Sequence, residues 1–184
     1  GRWIGSGNFD AAHAAATDAM FNTLTMLQID GTITIGEDRL IDGAAPLCMG
    51  VTFGAGLLPS DLAVDPIDGT RLLAEGKPGA ISVVALAPRH SIRSIAPAEY
   101  LDKIVVDRDA AAVLVPECLD APAAWTLALI ARAKKKVVRD LVVVVLQRAR
   151  HNDLIDEIRA TGARVLLRGE GDAEAALVAA TPGS

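Results

Sequence analysis

Two carboxylates and a hydroxyl crowd one short stretch of this chain, Asp61-Leu62-Ala63-Val64-Asp65-Pro66-Ile67-Asp68-Gly69-Thr70. Asp65 and Asp68 stand three apart, and hard oxygen ligands delivered from so short a segment suit Mg2+ or Mn2+ better than a softer ion. Thr70 is the expected N-cap of a helix opening near Arg71, where its hydroxyl and the neighbouring amides could meet a phosphate oxygen. The same residues also make an ordinary Asx turn with Asp68 as the cap, so the stretch alone leaves both readings open. A second group lies far along the chain. Gln147, Arg148, Arg150 and His151 follow one apolar run, and Arg168, Glu170 and Asp172 follow the next. Guanidinium groups there suit phosphate, and Gly169 and Gly171 permit close backbone approach. A set of solvated loop charges is the alternative.

The elements that must position these groups are readable in outline. Leu62 to Val64 form a short buried strand that Pro66 should end, with Gly69 supplying positive φ. A long helix is expected from an Asp10 cap to about Leu27, with Ala12, Ala16, Met20, Leu24 and Leu27 inward. His13 flanks that stripe, where packing is the commoner fate of a lone histidine. Thr32 to Ile35 alternate as a strand that presents Glu37 just past its end, a place for a ligand or for a solvated loop carboxylate. Leu47 to Val51 read as a strand, Ala80 to Leu86 as a strong one and Ser91 to Ile95 as its weaker hairpin partner. Lys103 to Val106 extend as another, with Ala111 to Val115 as a pairing segment. Tyr100, the only tyrosine, is placed to bind a ligand oxygen or to cap local packing. Leu141 to Leu146 are apolar on both faces, as in a central parallel strand. A helix capped by Asn152 and a strand from Ala163 to Leu167 complete a βαβ unit. Its strands should deliver their ligands at their carboxyl ends.

Composition bounds the function. With 184 residues, 51% hydrophobic but 3% aromatic, the chain can bury a core of Ala, Val, Leu and Ile. A net charge of -5 and a pI near 5.1 argue against sequence-independent binding to nucleic acid or an anionic membrane. Cys48 and Cys118 are too few for a disulfide framework. No apolar run approaches the ~20 residues that span a bilayer, and no signal peptide is recognised, so a cytoplasmic protein is expected.

Several motifs occur in a fixed order. They are Trp3-Ile4-Gly5-x-Gly7, Ile29-Asp30-Gly31-x-Ile33-x-Ile35-Gly36-Glu37, Ala63-Val64-Asp65-Pro66-Ile67-Asp68-Gly69-Thr70, Tyr100-Leu101-x-Lys103-Ile104, Arg150-His151 and Gly171-Asp172. In this order the chain resembles class II fructose-1,6-bisphosphatases, within the lithium-sensitive phosphatase superfamily. The resemblance implies an α/β, layered α-β-α sugar-phosphatase-like fold, with a mixed N-terminal sheet followed by a smaller parallel βαβ lobe. Residues 1–118 would form the metal and phosphate lobe and residues 119–184 the sugar-phosphate lobe.

It implies Mg2+ or Mn2+ held by Glu37, Asp65 and Asp68, with Thr70 orienting the attacking water. Tyr100, Arg148, Arg150, Glu170 and Asp172 would hold the phosphorylated small-molecule substrate. His13 stands where the family has a metal-binding Asp, and Asn8-Phe9 replace an Asp-Lys pair. Nitrogen is a poorer ligand for Mg2+, so that position is expected to be altered, with Asp38 or Asp42 available to compensate. Asp68 stands for Glu and Glu170 for Asp. The family's later Gly-Gly-x-Pro-Glu-Gly segment has no counterpart, so a shortened member is expected, one that covers its exposed faces by forming a homo-oligomer, most simply a dimer. The expected activity is metal-dependent hydrolysis of a sugar (bis)phosphate. The alternative is a rebuilt site that binds an anionic metabolite or catalyses a different reaction.

Overall fold

A computed structural model describes residues 1–37, 45–95, 97–98 and 100–182. Asp38 and Asp42 lie outside the described residues. The chain divides into two compact units, Gly1–Glu99 and Tyr100–Ser184. A boundary after residue 118 falls inside the second unit, in the 3-10 turn Pro116–Leu119.

In the first unit a long helix α1 (Phe9–Thr25) precedes a four-stranded mixed sheet in the order β2-β1-β3-β4. The strands are β1 (Asp30–Ile35), β2 (Thr52–Phe53), β3 (Pro59–Asp68) and β4 (Ile81–Pro88), with a short α2 (Thr70–Ala74) between the last two. β1 and β3 run parallel, and the other pairings are antiparallel. Asn8 caps α1, its side chain accepting from the Ala11 amide at 3.0 Å, while Asp10 sits in the first turn and favours the helix dipole. The helix stops at Thr25, which leaves Leu27 exposed. The core is Leu24, Ile29, Ile33, Leu47, Phe53, Leu62 and Val64, with Met20 and Phe21 packed against it.

β3 is longer than its sequence suggests because Pro66 does not end it. The pairing passes from Asp65 with Val83 to Asp68 with Ile81, so two residues of β3 face one of β4. Pro66 sits in that bulge, where no amide hydrogen is required of it, and Ser82 Oγ donates to its carbonyl at 2.6 Å. Leu47 to Val51 fold as turns, with a single bridge between Glu37 and Cys48. Ser91 to Ile95 form no strand. The Ile92 amide donates instead to Asp61 Oδ2 at 3.2 Å. Arg89 bonds the Asp30 carbonyl at 2.5 Å and the Thr32 hydroxyl, and faces the Asp30 and Asp61 carboxylates at 3.1 and 3.8 Å. Asp61 is thereby committed to holding strand ends together.

The second unit holds α3 (Arg108–Ala111), α4 (Ala123–Ala133), β5 (Val142–Leu146), α5 (Asn152–Ala160), β6 (Arg164–Arg168) and α6 (Asp172–Ala180). β5 and β6 pair in parallel from Val142 with Arg164 to Leu146 with Arg168, the βαβ unit expected from the sequence. Leu127, Ile130, Leu141, Val145, Ile155 and Ile158 form its core. Among the described residues β5 has β6 as its one strand partner. Lys103 to Val106 form no strand, and the chain after them enters α3. Asp107 captures the Ala110 amide at 3.0 Å and Lys134 at 2.5 Å there, which fixes a helix start at Arg108, and the Ala111 to Val115 segment expected to pair as a strand instead ends α3 and turns after it. His151, not Asn152, is the cap residue of α5.

Candidate metal and phosphate site

Because β1 and β3 are parallel neighbours, their carboxyl ends lie side by side, and each carries an acid just beyond the last paired residues, Ile35 and Ala63. Glu37 follows Gly36, and Gly36 is required. A Cβ at that position would lie 2.1 Å from the Leu47 carbonyl oxygen and 2.6 Å from Ile33 Cγ2. The Glu37 amide then donates to the Leu47 carbonyl at 3.0 Å, which locks the backbone of the acid. α1 supplies His13 and Thr17, four residues apart and therefore on one helix face. Thr17 Oγ1 donates to the Glu37 carboxylate, 3.2 Å from Oε2 and 3.3 Å from Oε1, and His13 Nε2 contacts Oε1.

β3 supplies Asp65, whose Oδ1 accepts from the Ile67 amide at 3.0 Å, so the Asx turn is made by Asp65, and the expected Asp68 cap of the next helix is not formed because Gly69 is the cap residue. The Asp65 carboxyl is held above the ordinary aspartate range, first by the protein around it and then by the negative charge of Asp68. Glu37 adds to the rise, while the Ile67 N–H and His13 oppose it. Its surface still opens to solvent, so the surrounding protein withdraws water without sealing the group. Glu37, Asp65, Asp68 and His13 thus share one electrostatic neighbourhood. Asp68 is buried. Thr70 is the first helical residue, not the cap. Gly69, at φ 91°, precedes α2, and the Thr70 hydroxyl donates to the Ile67 carbonyl at 3.2 Å.

This donor set fits a hard divalent cation, since repelling carboxylates gain most from positive charge placed among them. Among the described residues, no three His, Cys, Asp or Glu groups stand close enough together to hold a metal ion. A cation here would have to draw the carboxylates together.

In the second unit the carboxyl ends of β5 and β6 carry the basic group. Arg148 Nη1 donates to the Gly169 carbonyl at 2.6 Å and the Gln147 carbonyl at 3.0 Å, so one strand-end loop holds the other. Arg150 stacks on the Tyr100 ring at 4.2 Å from its centroid. His151 Nδ1 lies 2.7 Å from the Leu146 carbonyl. Asp172 opens α6 and pairs with Lys103, while Glu170 is half-buried in the loop before it.

Thr17, Gly36 and Lys103 were not singled out in the sequence as site residues. The i,i+4 spacing of His13 and Thr17 was a signal for the first. Lys103 was marked only by its place in the Tyr100-Leu101-x-Lys103-Ile104 motif, because its partner is 69 residues away.

A family model described as bacterial fructose-1,6-bisphosphatase, glpX-encoded, matches residues 1–184. The chain is 36% identical over 196 residues to the D-fructose 1,6-bisphosphatase class 2/sedoheptulose 1,7-bisphosphatase of Thermosynechococcus vestitus, covering all of this chain and 55% of that protein. It is also 36% identical over 184 residues to fructose-1,6-bisphosphatase 1 class 2 of Escherichia coli, covering 100% of this chain and 53% of that one. The chain therefore spans about half the length of the curated relatives it matches. With a match from the first residue to the last, and with Asp65-Pro66-Ile67-Asp68-Gly69-Thr70 folded as a strand and turn that bring acids together, the chain belongs to the bacterial glpX-type fructose-1,6-bisphosphatase family.

Proposed function

We propose that the chain carries the metal and phosphate site of a sugar-bisphosphatase, and that its substrate class is a fructose or sedoheptulose bisphosphate, as the names of its relatives suggest. The observation that carries this reading is the placement of Glu37 and Asp65 just past the last paired residues of parallel β1 and β3, with Asp68 three residues further along β3. These three would hold Mg2+ or Mn2+, with His13 at the margin. The bound ion supplies positive charge to the phosphoryl oxygens and lowers the pKa of its water.

The chain's own groups do the rest. Gly36 and Thr17 fix the Glu37 carboxylate. The Ile67 amide fixes Asp65, and the Thr70 hydroxyl, carried on the same turn, orients the attacking water. Arg148 and Arg150 counter the charge of the remote phosphate, with Arg150 already stacked on Tyr100. Glu170 and Asp172 accept from sugar hydroxyls. The full-length family match supports hydrolysis over a rebuilt site of another chemistry.

The reading extends to the layered α-β-α arrangement, to a homodimer and to a cytoplasmic setting. Cys48 and Cys118 are both buried, in keeping with a reducing compartment. No helix among the described residues is long and apolar enough to cross a membrane. The test is release of inorganic phosphate from fructose 1,6-bisphosphate and sedoheptulose 1,7-bisphosphate. Release that needs Mg2+ or Mn2+ and stops with a chelator is expected. No release with either metal from either substrate overturns the proposal. Sedimentation of a monodisperse monomer at micromolar concentration would overturn the dimer.

A further inference from the structure

The loop that follows the β5-α5-β6 unit is loose by sequence and held by its contacts. After Arg168, the last residue of β6, the chain runs Gly169-Glu170-Gly171 into α6, whose first residue is Asp172. Two glycines in three residues give the loop wide conformational freedom, and Gly171, at φ 84°, opens α6 without a side-chain cap. A Cβ at Gly169 would meet nothing within 4 Å, so packing does not confine the loop there. Its strand side is pinned from the loop after β5. The Gln147 amide donates to the Arg168 carbonyl at 2.7 Å, and Arg148 Nη1 donates to the Gly169 carbonyl at 2.6 Å. Across the loop, Arg168 Nη2 meets Glu174 Oε2 at 2.6 Å. Glu174 lies in the first turn of α6, where its charge also suits the helix dipole. The two side chains are 23% and 25% exposed, so the pair is less screened than an open surface bridge.

We propose that the Arg168–Glu174 pair is a positioning clamp for sugar recognition, closing the loop 169–171 and so fixing the backbone that carries Glu170 and Asp172. This deepens the substrate reading above and rests on it. Lys103 reaches the Asp172 carboxylate itself, whereas the clamp acts one step back, tying the end of β6 to the start of α6. Arg168 thereby differs from Arg148 and Arg150. Its charge is engaged within the chain by Glu174, so it organises the loop instead of meeting the phosphate. A carboxylate displaced by about 1 Å loses much of what orientation gives it. The loss falls on capture of the sugar, because the acids that serve the reacting phosphate belong to the first unit.

Phosphate release from fructose 1,6-bisphosphate and sedoheptulose 1,7-bisphosphate is measured for wild type, Arg168→Met, Glu174→Gln, the double variant and Arg168→Lys, and hydrogen exchange follows the amides of residues 169–173. Each of the first two variants should raise KM about ten-fold with kcat within about two-fold of wild type, and the double variant should be no worse than either, as for partners in one contact. Exchange in the loop should quicken about ten-fold in both, and Arg168→Lys, which keeps the charge, should recover part of each effect. A KM raised by Arg168→Met but not by Glu174→Gln would make Arg168 a direct substrate contact and overturn the clamp, as would unchanged exchange rates. Faster exchange with an unchanged KM overturns its part in recognition and leaves the substrate reading standing. Wild-type protein that releases no phosphate from either bisphosphate overturns the substrate reading and, with it, the role given to the clamp.

Discussion

The two units present opposite charge by different structural means. In the first, acids sit at the ends of parallel β1 and β3 and are fixed by backbone, through Gly36 crossing Leu47 and Asp65 bonding its own turn. In the second, guanidinium groups sit on the loop after β5 and are steadied by a ring face and carbonyl oxygens. The difference teaches what each ligand demands. A small divalent ion asks for oxygens fixed by short, stiff segments, and a phosphate on a sugar accepts long side chains with several donors. Damage to the first set should therefore abolish chemistry, and damage to the second should weaken substrate capture.

The largest effect should come from Asp65→Asn, which removes one anionic ligand and should cut metal-dependent phosphate release by about 10²–10³-fold in kcat. The same variant should raise the Tm of the metal-free protein slightly. Because the folded-state pKa of Asp65 is raised, ionising it costs stability as pH rises through that value, so the gain should be present at neutral pH and vanish in acid. Thermal melts at both pH values check the sign.

Next in size is Gly36→Ala. Its Cβ meets backbone at 2.1 Å, so Glu37 must shift, and a misplaced ligand of this kind costs about 10²-fold in turnover. Circular dichroism should show the fold retained while calorimetric Mn2+ affinity drops. A variant with unchanged affinity would show that the backbone does not set the carboxylate.

Arg150→Met should sharpen the contrast from the other side, raising KM for the bisphosphate about ten-fold with little change in kcat. An equal fall in kcat would blur the division between the two regions. The smallest effect is structural. The Lys134 ammonium beside Asp107, with the Ala110 amide, holds that carboxyl below the ordinary aspartate range. Its stabilisation is therefore present above the unfolded pKa of about 3.9 and lost as pH falls through the lower folded value. Lys134→Met should lower the Tm at neutral pH, and the gap from wild type should close in acid.

Much of this was legible in the residues, where the signals were local. The β5-α5-β6 unit followed from an apolar run, an amphipathic helix and Gly162. The position of Glu37 past β1 followed from strand chemistry, whereas the turn's Asx bond is made by Asp65 and not, as the sequence suggested, by Asp68. What failed depended on distant partners. Pro66 looked like a strand end because its place in a bulge is set by β4. Lys103 to Val106 looked like a strand because apolar extended residues carry no mark of lacking a neighbour. The hold of Lys134 on Asp107 spans 27 residues, and it decides that a helix starts there.

The central claim is that Glu37 and Asp65, with Asp68 behind them, serve a single divalent ion. Anomalous diffraction from crystals soaked in Mn2+ tests it most directly. A manganese peak bonded to carboxylate oxygens of both Glu37 and Asp65, absent in Asp65→Asn, is the expected result. Manganese bound elsewhere, with Glu37 still closed on His13 and Thr17, would contradict it.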